Sequence, residues 1–163
     1  MLVVTLVGQA RFASAIVSGD AIVFDEIAYG DGDGSSWEYG PDDEALYNEV
    51  WRGPVNVVER VTDQANKFRV EGVIPVDVGG FTVREVAFYS EGDLIAIGNY
   101  PSTYKPDPAT ENDSTELYVR GIIQIASTVP VAVTVDPGTV LATREYVDIR
   151  ATGSVLAMAA AFN

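Results

Sequence analysis

Hydrophobic and polar positions alternate with a period of two through most of the chain. In residues 67–74, Phe68, Val70 and Ile74 fall on one face and Lys67, Arg69 and Glu71 on the other. Successive strand side chains point to opposite faces, so the run reads as a half-buried strand. Residues 55–61 repeat the pattern through Val55, Val57 and Val61, and residues 117–125 through Leu117, Val119, Ile123 and Ile125. Val131, Val133 and Val135 extend it once more, and residues 21–29 read as a strand. The strongest signal lies in residues 73–106. Two apolar runs, 80–89 and 94–100, flank the short break Ser90, Glu91, Gly92 and Asp93. Gly reaches positive φ without steric cost, so this break predicts a hairpin. Residues 94–98 are apolar on both faces and predict a strand in the middle of a sheet. Pro101 and Pro106 then predict an exposed arm, since proline cannot donate to a ladder.

Helical spacing is rarer. Leu6, Ala10, Ala13 and Val17 recur at intervals of four, three and four. That stripe predicts a short amphipathic helix stopping at Ser18 and Gly19. Pro41, Asp42, Asp43 and Glu44 resemble a helix start, because carboxylates complement the positive end of a helix, and predict a helix running to Val50. A third helix is expected over residues 139–150, after Asp136 and Pro137 break the last strand. The fold class expected is therefore α+β: a mostly antiparallel sheet with two or three short helices and a C-terminal helix. At 163 residues the chain predicts a single main domain, residues 1–148, followed by a tail, residues 149–163.

Charge sharpens this picture. The formal net charge is −14, and ten acids but no Lys or Arg lie between Phe12 and Trp51. Such a surface repels nucleic acid and anionic membranes, and suits a basic partner. The apolar N-terminal run lacks basic flanks and is too short to span a bilayer, so synthesis in the cytoplasm is expected.

The chain has no histidine and no cysteine. That removes the usual general base, the serine triad and thiolate metal sites. The glycine-rich run 30–34 lacks the third Gly of a dinucleotide loop, and no Lys follows it as in a phosphate-binding loop. Read as a calcium loop from Asp31, it has Ser36 where Gly belongs and a short last ligand, Asp42. A turn is the simpler reading, so no metal and no cofactor are expected. Arg84 and Glu85 point to opposite faces of their strand, so each is expected to find an ion-pair partner elsewhere. Asp31 and Asp33 in the acidic loop, and Tyr104 and Lys105 in the proline arm, are the candidate contact residues. Trp37 and Tyr39, also in a predicted loop, join Tyr104 as rings suited to a protein partner or a sugar. Tyr146, Ile149, Gly153, Leu156 and Ala160 are spaced as a coiled-coil seam, so Tyr146, Ile149 and Leu156 are candidates for self-association.

Taken in order, the stretches 28–34, 46–55, 73–106, 119–125 and 133–148 resemble the N-terminal domain of phage tail-collar or tail-fibre proteins. Gly79 and Gly80, Arg84 and Glu85, Gly92, residues 94–99 and the run Tyr104, Lys105 and Pro106 carry the resemblance. Ala87 departs from it, where the family often has Gly. The resemblance implies a structural virion protein of a contractile tail, without catalytic residues, that attaches a fibre to the baseplate. It also implies a homotrimer, with a baseplate wedge protein and a distal tail-fibre protein as partners. Family members usually continue into a long shaft, whereas fifteen residues follow Asp148 here. The chain reads as an adaptor or as a fibre reduced to its attachment domain. A sugar-binding receptor-recognition module is the alternative.

Overall fold

A computed structural model describes residues 2–111, 115–125 and 130–135. The elements are β1 (Leu2–Val4), α1 (Leu6–Ser18), β2 (Glu26–Gly30), β3 (Glu49–Arg60), β4 (Lys67–Ile74), β5 (Phe81–Ser90), β6 (Asp93–Lys105), β7 (Leu117–Gln124) and β8 (Thr134–Val135). They form one antiparallel sheet in the order β1-β6-β5-β2-β3-β4-β7, with β8 pairing β3 off this path.

The β5–β6 hairpin is central. Glu91 and Gly92 both take positive φ, 51° and 85°, and Ser90 pairs with Asp93. Two consecutive positive φ values give a turn whose twist matches that of the strands it joins. Residues 94–98 are buried, with β1 and β5 on either side of β6. β4 alternates perfectly, burying Phe68, Val70 and Ile74 against β3 and β7. β3 carries a bulge between Val55 and Val57. The bulged Asn56 is buried, and its side-chain oxygen accepts the Val73 N–H at 3.0 Å. A bulge bends its strand, and the main core cluster joins Phe12 of α1 with Phe24, Tyr29, Phe68 and Phe88.

Four expectations need correction. The fold class is not α+β with several short helices: strands dominate, and α1 is the one α-helix among the described residues. The helix expected from Pro41 to Val50 does not form. Asp43 accepts the Gly40 N–H at 2.6 Å instead, Leu46 plugs a small core with Ala28 and Ala87, and β3 begins at Glu49. The expected C-terminal helix lies outside the described residues.

The end of the arm is corrected too: Pro101, Ser102 and Tyr104 are exposed as expected, but β6 runs on through them to Lys105, which pairs with Phe81 and is buried. Gly79 and Gly80 make this possible. Gly80 takes φ 85° and donates its N–H to the Lys105 oxygen at 2.8 Å, and a Cβ on Gly79 would collide with the Pro106 carbonyl.

Finally, α1 forms where expected but faces the other way. Thr5 caps it, accepting the Gly8 N–H at 2.9 Å, and Gly19 closes it in the left-handed region. Gly8, Phe12 and Ala15 face the sheet, while Leu6, Ala10, Ala13 and Val17 are exposed. Gly8 decides the face: a Cβ there would stand 3.0 Å from the Ile95 Cα, so only glycine lets the helix lie this close to β6.

Candidate functional site

The acidic loop between β2 and β3 is built on one side chain of β5. Glu85 is 1% exposed. One carboxylate oxygen, Oε1, accepts the Gly32 N–H at 3.2 Å and the Asn48 N–H at 2.9 Å. The other, Oε2, accepts the Tyr47 N–H at 3.3 Å and the Tyr39 hydroxyl. One buried carboxylate therefore ties both ends and the middle of the loop to the sheet. Buried polar groups need such partners, because an unmade bond costs the full desolvation of the group.

The glycine-rich run is a turn. Asp31 accepts the Asp33 N–H at 2.9 Å and the Asn48 side-chain amide at 2.8 Å, and Asp33 takes a positive φ of 50°. Among the described residues no three acidic side chains gather as metal ligands.

Trp37 donates from Nε1 to the Gly32 oxygen at 2.8 Å and stacks on Tyr47, with centroids 3.8 Å apart. The Trp37 carbonyl in turn accepts the Asn99 amide of β6. Both rings keep outward surface, at 38% and 56% exposure, in a loop whose Asp33, Glu38, Asp42 and Glu44 are also exposed. The result is a fixed, acidic, aromatic face, chemistry suited to a basic protein surface.

Arg84 and Glu85 do not form the ion pairs expected of them. Arg84 donates to the Asp31 carbonyl at 3.2 Å, which holds the same loop from the other side of β5. Next to the loop, Arg52 lies 4.0 Å over the Tyr89 ring and pairs with Glu49 and Glu26. The bond to Glu49 is the main reason that its pKa rises above the ordinary arginine value.

The predicted site residues divide into groups. Asp31, Asp33, Trp37 and Tyr39 share the loop, but Tyr39 is half-buried under Glu85 rather than presented outward. Tyr104 is exposed at the far end of β6, bonded to Glu111 at 2.8 Å. Trp37, Tyr39 and Tyr104 thus make no common ring platform. Lys105 points inward, and Tyr146, Ile149 and Leu156 lie outside the described residues. Sequence reasoning missed Tyr47, Asn48 and Asn99. It had placed Tyr47 on a helix, and nothing local marks the other two.

The chain is 36% identical over 148 residues to a probable tail fiber protein of Escherichia phage P2. That alignment covers 90% of this chain but 22% of the relative, so the chain spans about a fifth of that protein. No solved structure matches. The family profile of the phage tail-collar fibre protein, N-terminal, matches residues 1–145, and the chain belongs to that family.

Proposed function

We propose that this domain is the attachment end of a phage tail fibre, joining the fibre to the baseplate of a contractile tail. The observation that carries the reading is the family match over residues 1–145. The rigid acidic loop on Glu85 is the contact with a baseplate wedge protein, through Asp31, Asp33 and Trp37. Residues 149–163 are the oligomerisation or docking tail, leading to a distal tail-fibre protein in a homotrimer assembled in the host cytoplasm. The role is structural rather than enzymatic. Sugar recognition has less support, since Trp37 is stacked on Tyr47 and Tyr104 stands apart.

Immunogold electron microscopy of particles carrying this protein, with antibody raised against residues 1–148, tests the reading. Gold at the baseplate end of the tail is the expected result. Gold confined to the distal fibre tips, with binding on a glycan array, would replace attachment by sugar recognition.

A further inference from the structure

Three parts of the chain meet at the start of α1 and leave a groove of about 500 Å³ between them. The loop of residues 41–44 is one wall, fixed where the Pro41 oxygen accepts the Leu6 N–H at 2.8 Å. The β5–β6 hairpin is the other. Thr5 fixes it, donating its N–H to the Ile95 oxygen at 3.0 Å and its hydroxyl to the Leu94 oxygen. Both walls are thus tied to the cap of the helix.

The groove has two chemistries. Leu6, Val7, Tyr89 and Leu94 give it an apolar side, with Leu6 at 54% exposure and Val7 at 46%. Asp42, Asp43, Glu44 and Asp93 give it an acidic side, and no Lys or Arg lines it. Two of these carboxylates are already occupied: Asp43 accepts the Gly40 N–H at 2.6 Å, and Asp93 pairs with Arg11 at 2.8 Å. Asp42 and Glu44 are exposed and make no side-chain hydrogen bond or ion pair among the described residues. The positive end of α1, which has no acid in its own first turn, is nearby. It carries about half a charge, less than two free carboxylates.

An apolar wall beside unmatched negative charge calls for one kind of occupant. An arginine or lysine lays its aliphatic stem on apolar surface and brings its charged head to the carboxylates. An aliphatic residue beside it in a protein segment covers Leu6 and Val7. A metal ion would leave those two side chains wet, and among the described residues no three acidic side chains gather as its ligands. We propose that this groove receives a basic segment of a partner protein, with an arginine or lysine head at Asp42 and Glu44 and an aliphatic neighbour on Leu6 and Val7. The inference goes beyond the attachment reading, which places its contact at Asp31, Asp33 and Trp37, and it does not depend on what the domain is attached to.

The probe is the blocked peptide acetyl-Leu-Arg-Leu-Arg-amide, titrated into isotope-labelled full-length protein and followed by amide NMR. The amides of Leu6, Val7, Asp42, Glu44 and Leu94 should shift together and saturate, while those of the exposed Asp20 and Asp63 stay in place. The same peptide with glutamine for arginine should not bind. Asp42→Asn with Glu44→Gln should weaken binding by about tenfold or more, and Val7→Ser by about fivefold. No saturable shift in the groove, shifts spread over all exposed acids, or equal binding of the glutamine peptide would overturn the proposal. So would unchanged affinity in the double variant. Spermidine moving the same amides as tightly as the peptide, with no effect of Val7→Ser, would make the groove a polyamine site instead. The dispersion of the amide spectrum reports whether each variant folds, and if the double variant does not, the glutamine peptide and Val7→Ser decide.

Discussion

Gly30 and Glu85 are register partners across β2 and β5, and the glycine exists to make room for the carboxylate. A Cβ on Gly30 would stand 2.6 Å from the Glu85 Cγ and 2.6 Å from the Asn48 carbonyl. The pairing sets the entry of the acidic loop directly over its anchor. Gly30→Ala should cost about 1–3 kcal/mol, the usual range for overpacking a filled site. Denaturant unfolding of Gly30→Ala, Glu85→Ala and the double variant tests the relationship. A double-variant loss equal to the sum of the single losses would mean that the two residues are independent.

Glu85→Gln keeps the shape of the anchor but replaces one acceptor oxygen with a donor. That donor then faces N–H or O–H groups of Gly32, Tyr39, Tyr47 or Asn48, which were bonded before. Leaving buried donors unmatched costs about 1–3 kcal/mol. We expect a lower Tm together with a change in the near-ultraviolet circular dichroism of the Trp37–Tyr47 stack. A Tm and aromatic spectrum like those of the parent protein would show that Glu85 does not hold the loop.

Lys105 gives the opposite prediction. Its side chain is 1% exposed, and Nζ has no hydrogen-bond partner among the described residues. Lys105→Met keeps the length of the side chain and removes the unmatched polar atom. Since such an atom costs roughly 1–3 kcal/mol when buried, the variant should unfold at a higher temperature. A fall in Tm would reveal a partner for this amino group.

The segment after β6 is held by groups that titrate at opposite ends of the pH scale. The Tyr104 hydroxyl donates to Glu111, and that bond, more than burial, raises its pKa above the ordinary tyrosine value. A raised pKa means that the contact is intact below about pH 10 and is lost as pH rises through the shifted value. Asp107 is shifted the other way, first by the Ala109 N–H and then by the Thr110 hydroxyl. Its contribution is present above about pH 4 and is lost as acid protonates it. Titration of the Tyr104 ring carbon by NMR should place its midpoint above that of free tyrosine, and Glu111→Gln should bring it back. An unchanged midpoint in Glu111→Gln would exclude the bond as the cause.

Local patterns accounted for most of the β structure. Strict alternation fixed β4 as Lys67–Ile74 and named the side chains it buries, because one buried face tolerates no slip of register. The break at Glu91 and Gly92 likewise marked the hairpin, since few residues accept two successive positive φ values. Where the chain offered two local choices, alternation was silent. The acids of residues 42–44 suit a helix start as well as a turn. The turn forms because Glu85, far away in sequence, takes the N–H groups of Tyr47 and Asn48. The proline arm is exposed at Pro101, Ser102 and Tyr104, yet β6 continues there to a buried Lys105 once Gly79 and Gly80 let the chain close upon it.

By itself, then, the sequence determined most of the strands, the hairpin, the family and the lack of histidine and cysteine chemistry, because each depends on neighbouring residues or on residue type. Only the tertiary structure decided which face of α1 is covered and what holds the acidic loop. Both depend on contacts between residues far apart in the chain: Gly8 against the backbone of Ile95, and Glu85 beneath Gly32 and Asn48. Periodicity records that a face is apolar, not what it meets. A buried carboxylate is identified by the donors the fold brings to it, and none of those sits beside it in sequence.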